Sequence, residues 1–257
     1  MGSRSLFTLI IPAHNEARAL RNTVKQHELY LEQQGIPFEI IVVDDGSTDE
    51  TAAVVTDIAS QTALVRLVTL KPRRGKGAAV YAGVKVAQSD VIGFTDADLA
   101  YPPSDVAAAR SCVVAGEADL VIGARDLPES ACAARYPLTR RLSAWVFGGL
   151  VRALVFKGIP DTQCGLKVFS RDAALAIFPR LTVFGFAFDV EMLAIAMKLG
   201  LRIRPIPVHL SHSRESRVRL LRDSVAMFSD LLRIRRRMRR LDAPDGYAAP
   251  PNSIERP

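Results

Sequence analysis

Two aspartates separated by one residue, Asp96 and Asp98, follow the apolar run Val91-Ile92-Gly93-Phe94, and Pro102-Pro103 then forbids a strand from continuing. In an extended backbone, residues two apart point to the same face. The spacing therefore predicts that Asp96 and Asp98 project together from a strand end. Two hard oxygen donors on one side suit Mg²⁺ or Mn²⁺, ions that keep their remaining positions for water and phosphate oxygens. An ordinary acidic turn after a buried strand is the alternative, because a motif this short matches by chance.

What precedes the pair shifts that balance. Leu6 to Pro12 reads as a buried strand ended by proline and followed by Ala13-His14-Asn15-Glu16. Asn15 is placed to cap a helix with apolar positions at Leu20, Val24, Leu29 and Leu31. Phe38 to Val43 is a second strand that again ends in carboxylates, Asp44-Asp45, with Gly46 supplying the turn. Ser47-Thr48-Asp49-Glu50 has capping-box spacing for a helix through Ala59. Leu64 to Leu70 is a third strand, followed by the basic glycine turn Lys71-Pro72-Arg73-Arg74-Gly75-Lys76-Gly77 and an alanine-rich helix to about Gln88. A helix over Ser104 to Ala115 and a strand over Asp119 to Gly123 continue the alternation. Strands alternating with helices predict an α/β fold, a mostly parallel sheet with helices on both faces. Ligands of such sheets sit outside the carboxyl ends of the strands, where the polar clusters fall.

The second half is less regular. Asp126 to Pro137 reads as a loop, and Leu138 to Phe156 as a helix. Asp161-Thr162-Gln163-Cys164-Gly165 is a turn into the strand Leu166 to Phe169, and Phe188 to Leu199 is a helix stopped by Gly200. Arg202 to Val208 is a last strand, which Pro205 and Pro207 confine to a sheet edge. Arg217 to Arg240 is amphipathic and basic, with Leu221, Val225, Phe228, Leu231 and Leu232 at helical spacing. The expected division is a domain over 1–216, a basic helix over 217–241 and a frayed tail over 242–257.

Composition sets bounds on all of this. A chain of 257 residues, 49% apolar and 24% charged, can bury a sizeable core. Cys112, Cys132 and Cys164 are far apart with no metal-ligand spacing, which argues for a reducing compartment. No signal-peptide pattern is read at the N-terminus, and the longest apolar run, Leu142 to Phe156, falls short of the ~20 residues a membrane span needs. The net charge of +7 is unevenly placed, since Arg233 to Arg240 is arginine except at Ile234 and Met238. Without interleaved aromatics or a known module, that run is not read as a nucleic-acid patch.

Taken in order, Ile10-Ile11-Pro12-Ala13-His14-Asn15-Glu16, Val42-Val43-Asp44-Asp45-Gly46-Ser47 and Thr95-Asp96-Ala97-Asp98 resemble the inverting family 2 glycosyltransferases, which have the GT-A fold. Gly75-Lys76-Gly77 and Asp161-Thr162-Gln163-Cys164-Gly165-Leu166-Lys167 resemble the branch that glycosylates a polyprenyl phosphate, most of all the dolichyl-phosphate β-glucosyltransferases. The resemblance covers about Leu6 to Val218. It implies an enzyme that moves a hexose, glucose from UDP-glucose or mannose from GDP-mannose, onto a polyprenyl or dolichyl phosphate.

Carried onto this chain, the resemblance implies that Pro12 and Glu16 frame the nucleoside and that His14 stacks on the base. Asp44 or Asp45 would accept from the base, uracil and guanine both remaining open. Asp98 would be the direct metal ligand, with Asp96 on the ribose or the metal's water shell. The mannosyltransferase relatives have a glutamine two residues after the second aspartate, a place that Ala100 takes here. Lys76, at a glycine-rich helix start, and Arg125 would meet the donor phosphates. Arg140, Gln163, Lys167 and Arg217 would face the acceptor phosphate. Asp189 would orient the sugar or an arginine, or else cap its own helix.

The acceptor's phosphate oxygen is already anionic at neutral pH, so a strong general base is less necessary than charge screening and in-line placement. A long isoprenoid implies contact with a membrane, and the basic helix is then either an interfacial helix or a packed surface helix. The expected location is the cytoplasmic face of a membrane, as a peripheral protein. The competing class is a catalytically silent sugar-nucleotide-binding scaffold.

Overall fold

A computed structural model describes residues 6–132, 138–211 and 220–240, and of residues 132, 138–144 and 220–226 the backbone alone. The first half runs β1 (Phe7–Ala13), α1 (Ala17–Gln33), β2 (Phe38–Asp45), α2 (Thr51–Gln61), β3 (Val65–Leu70), α3 (Lys76–Val86), β4 (Val91–Phe94), α4 (Pro103–Val114) and β5 (Leu120–Ala124). There follow β6 (Ala131–Cys132), α5 (Leu138–Leu154), β7 (Lys167–Ser170), α6 (Arg171–Ile177) with a 3₁₀ turn at Phe178–Arg180, α7 (Phe188–Lys198), β8 (Ile203–Pro207), β9 (His209–Leu210) and α8 (Leu220–Met238).

Among the described residues, seven strands form one sheet in the order β3-β2-β1-β4-β7-β5-β8, parallel except for β7. Alternation along each strand divides the core in two. Ile10, Ile41, Val43 and Phe94 face the layer of α3, α5, α6, α7 and α8, whereas Leu9, Ile11, Ile40 and Val42 face α1, α2 and α4. Burying each such side chain contributes roughly 1.5–3 kcal/mol. β8, with its two prolines, forms the sheet edge beside β5.

β7 is the element that simple β-α alternation does not foresee. It is antiparallel to β4 and β5, with Lys167 opposite both Phe94 and Ile122. Running the other way, it brings its amino end to the carboxyl ends of its neighbours. The segment from Asp161 to Gly165 is thereby delivered to the rim where Asp96 lies.

The expected helix caps are replaced by links between loops. Glu16, not Asn15, occupies the N-cap of α1, and Asn15 adopts a left-handed φ of 56°. Its side-chain oxygen accepts the N–H of Thr48 at 2.8 Å, while Ser47 Oγ accepts the N–H of Asn15 at 2.9 Å. The Ser47–Glu50 capping box does not form. Instead the Asp49 carboxylate accepts the Thr51 N–H at 3.0 Å, and Thr51 Oγ1 accepts the Glu16 N–H at 2.9 Å. The polar residues after β1 and β2 therefore hold each other.

α8 packs on α5 and α7. Leu231, Ile234 and Met238 are buried in the core, but Phe228 is exposed and Leu232 only partly buried. The apolar stripe expected at Phe228, Leu231 and Leu232 is thus divided, because the buried positions follow the i, i+3, i+7 spacing of Leu231. Leu221 and Val225 fall where only the backbone is described, and 212–219 and 241–257, with Arg217, lie outside the described residues. Arg237 Nη1 lies 2.5 Å from Glu191 Oε1 of α7, and Glu191 also accepts the N–H groups of Thr182 and Val183, each at 2.7 Å. No helix among the described residues is long and apolar enough to cross a membrane.

His27 on α1 is fully buried, and its Nδ1–H donates to the Thr23 carbonyl at 2.9 Å. Burial pushes its pKa down to about 4, a shift that this hydrogen bond only partly offsets. The unfolded chain, with an ordinary imidazole near 6.5, binds the proton first as pH falls. Stability contributed above pH 6.5 is therefore lost as pH falls towards 4, on the order of 2 kcal/mol between pH 7 and pH 5. Urea unfolding at the two pH values should show a markedly smaller loss for His27→Leu than for the native chain. An equal loss in both would remove His27 from the explanation.

Candidate active site

The carboxyl ends of β1, β2 and β4 open onto a cleft of about 220 Å³. Pro12, His14 and Glu16 line it from the first strand end, Asp45 from the second, Lys76 from the start of α3, and Asp96 and Asp98 from beyond β4. The aspartates do not reach it on a strand pleat, since β4 stops at Phe94 and a turn carries them onward. Leu99 takes a left-handed φ of 57° in that turn, and Asp98 Oδ1 accepts the Ala100 N–H at 3.2 Å. A non-glycine residue held there costs of order 1–3 kcal/mol, which the surrounding packing must sustain.

Asp96 is held from two sides. Lys76 Nζ lies 2.6 Å from its Oδ1, with the side chains 35% and 32% exposed. Its Oδ2 lies against Gly165, where an added Cβ would be 1.9 Å away. Burial would raise the Asp96 carboxyl pKa, but Lys76, with Lys167 and Arg125 farther off, holds it below the usual carboxylate range. Partial burial likewise opposes the Lys76 charge, and Asp96 and Asp189 outweigh it, so the ammonium sits above its ordinary pKa.

The other predicted residues fall into place unevenly. His14 Nδ1 is 3.0 Å from the Asp45 carbonyl, so the ring is fixed at the cleft edge. Asp45 accepts the N–H groups of Arg74 and Gly75 at 2.7 and 2.8 Å, and its carboxylate shapes the basic turn. Asp44 does not line the cleft, and its Oδ1 closes its own turn on the Ser47 N–H at 3.0 Å. The start of α3 offers less backbone than expected, because the Gly77 N–H donates to the Phe184 carbonyl at 3.0 Å. What it presents to the cleft is the Lys76 side chain.

Arg125, ending β5, is gripped by Asp161: Nε and Nη2 donate to its two oxygens at 2.6 and 3.0 Å. Burial works against both charges, and the pairing outweighs it, lowering the Asp161 carboxyl pKa and raising that of Arg125. Gln163 donates its backbone N–H to Asp161 at 3.0 Å, and its buried Nε2 has no partner among the described residues.

Two expectations are corrected outright. Lys167, expected at the acceptor phosphate, has no exposed surface: its ammonium lies 2.6 Å from the Cys164 carbonyl and 2.7 Å from Asp189 Oδ1. The β7 register places it between Phe94 and Ile122, inside the sheet. Asp189 therefore orients a lysine, not an arginine, and does not cap α7, whose N-cap is Ala187. Burial raises the Asp189 pKa, an effect that Lys167 and Lys76 only partly offset. Arg140 lies on α5, where only the backbone is described, so its side chain and that of Arg217 are not placed.

Sequence reasoning assigned no role to Gly165 or Tyr101. Tyr101 is buried, and its hydroxyl accepts the Gly165 N–H at 3.3 Å, fixing the backbone against Asp96. A glycine four residues after Asp161 was a visible signal, but the contact it permits depends on the antiparallel β7.

Arg125 is not among the residues that line the cleft, and the arrangement there, strand-end carboxylates facing Lys76, suits a bound anion with its counter-cation. The model of glycosyl transferase family 2 matches residues 8–178. A dolichyl-phosphate beta-glucosyltransferase of Dictyostelium discoideum is 33% identical over 239 residues, covering 89% of this chain and 73% of that protein. The Homo sapiens dolichyl-phosphate beta-glucosyltransferase is 33% identical over 242 residues, covering 90% and 75%. Among solved structures, glucosyl-3-phosphoglycerate synthase of Mycobacterium tuberculosis, in complex with Mn²⁺, uridine-diphosphate and phosphoglyceric acid, superposes with a TM-score of 0.66 at 22% identity, covering 94% of this chain and 80% of that one. Mannosyl-3-phosphoglycerate synthase of Rubrobacter xylanophilus gives 0.71 at 21% identity, covering 96% and 79%. These structures share the fold, the GT-A arrangement expected from the sequence. The chain belongs to glycosyl transferase family 2 and is a glycosyltransferase.

Gly165→Ala places a methyl group on Asp96 and should lower turnover about a hundredfold or more, since a displacement near 1 Å at a reacting site has that effect. Circular dichroism should show the fold retained. Near-native turnover would mean that Asp96 tolerates displacement.

Proposed function

We propose that the protein transfers glucose from UDP-glucose to a polyprenyl phosphate of the dolichyl type, with inversion, giving a β-linked lipid-phosphate sugar. The observation that carries this is the Asp161–Lys167 motif, whose sequence resembles the glucosyl branch and whose Gly165 lies directly against Asp96. Its relatives, named for transfer to dolichyl phosphate, support the same acceptor.

In this reading Pro12, His14 and Glu16 hold the nucleoside, and Lys76 and Arg125 face phosphate. The donor set fits a divalent ion, for Asp96 and Asp98 both present hard oxygens to one cleft. Asp98 and Asp96 would hold Mg²⁺ or Mn²⁺, whose charge stabilises the departing diphosphate. No side chain needs to remove a proton from the acceptor, whose phosphate oxygen is already anionic. Asp189, neutralised by Lys167, is then a fixed countercharge rather than a base.

With a lipid acceptor, the enzyme would work as a peripheral protein at the cytoplasmic face of a membrane. Support comes from α8, where Ser229, Leu232, Arg233, Arg236, Arg237 and Arg240 line a depression of about 480 Å³. Trp145 and Val146 are exposed on the neighbouring α5. Arginines near an anionic surface contribute ~1 kcal/mol each, an effect that salt screens.

Radiolabelled UDP-glucose and GDP-mannose, offered with a polyprenyl phosphate in anionic liposomes and Mg²⁺ or Mn²⁺, test the whole reading. Labelled lipid should form from UDP-glucose at least about tenfold faster, and the rate should fall with salt. Changing Arg233, Arg236 and Arg240 together to glutamine should abolish that salt dependence. Preference for GDP-mannose would replace the donor, and transfer from neither would favour the silent scaffold.

A further inference from the structure

Two lysines flank one ring in the core of the site. Lys167 Nζ lies 5.5 Å from the centroid of Phe94, and Lys76 Nζ lies 5.8 Å from it. Each is paired with an aspartate, Lys167 with Asp189 at 2.7 Å and Lys76 with Asp96 at 2.6 Å. The two pairs differ in freedom. Lys167 is fully enclosed and also bonded to the Cys164 carbonyl, whereas about a third of the Lys76 and Asp96 side chains is exposed to the cleft. One oxygen of Asp96, Oδ2, is packed against the Gly165 backbone. Its other oxygen, Oδ1, is the one that Lys76 holds.

We propose that Lys76 is an internal cation that occupies Asp96 until a divalent ion and a nucleotide diphosphate arrive together. This rests on the reading of Asp96 and Asp98 as the ion's ligands. A divalent ion arriving alone meets an ammonium already seated on Asp96 Oδ1, which repels it and must be displaced. A diphosphate arriving alone meets the carboxylates of Asp96 and Asp98. Arriving together, the two relieve both conflicts: the ion takes the carboxylate and the ammonium takes the phosphate. Binding of ion and nucleotide is therefore coupled through one side chain, a coupling that acts equally in both directions.

Mn²⁺ titration followed by electron paramagnetic resonance, on the full chain with and without UDP, tests this without any turnover. The native protein should bind Mn²⁺ alone weakly and far more tightly with UDP. Lys76→Met should bind Mn²⁺ alone roughly tenfold tighter than the native protein, with a smaller further gain from UDP. Lys76→Arg, which keeps the charge, should behave like the native protein. If the native protein binds Mn²⁺ with UDP but Lys76→Met binds Mn²⁺ alone no tighter, the internal-cation role is wrong and the metal site stands. If neither protein binds Mn²⁺ even with UDP, the metal site is wrong and the internal cation falls with it.

Discussion

The site depends on the confinement of one carboxylate. Asp96 is held between an ammonium at 2.6 Å and a glycine backbone too close to admit a methyl group. Each side of that grip has its own support. Gly165 is held by the Tyr101 hydroxyl and by the antiparallel β7, whereas Lys76 stands on a turn shaped by Asp45. A charge in a half-enclosed cleft is stabilised only if its partners are preorganised, and here both partners, Lys76 and Gly165, are themselves held by other parts of the chain.

That preorganisation extends outwards by backbone contacts. Gly75 before α3 and Gly77 in its first turn stand where side chains would collide with Phe184 and Phe188. Val183 and Thr182, next in line, donate to the buried Glu191, and Glu191 is paired with Arg237 of α8. The basic helix is thus joined to the loop that supports Lys76, and Leu231, Ile234 and Met238 seat it in the same core as the sheet. A buried glutamate with its donors in place costs little, but removing Arg237 would leave part of its charge uncompensated.

Much of this was legible in the sequence. Strands ending in proline, paired aspartates or an Asp-x-Asp turn announce themselves through hydrophobic runs that stop at residues unable to continue them. The placement of Asp96, Asp98, Lys76, His14 and Glu16 around one cleft follows from parallel strands ending on one side. What escaped reading was long-range or cross-loop. Asn15, Ser47 and Thr51 have the composition of caps, yet their partners lie more than thirty residues away. Lys167 has the look of a phosphate ligand, and only strand register reveals that it is enclosed. Leu231 and Phe228 share an apolar character in the sequence, and helix packing alone decides that the first is core and the second surface.

A crystal structure with UDP and Mn²⁺ bound would examine the central claim, that Asp96 and Lys76 exchange partners around the ligand, most directly. Oxygens of both Asp96 and Asp98 should lie on the ion, with Lys76 Nζ moved onto a phosphate oxygen and Lys167 still paired with Asp189. An ion bound elsewhere, with Lys76 still on Asp96 Oδ1, would contradict the claim.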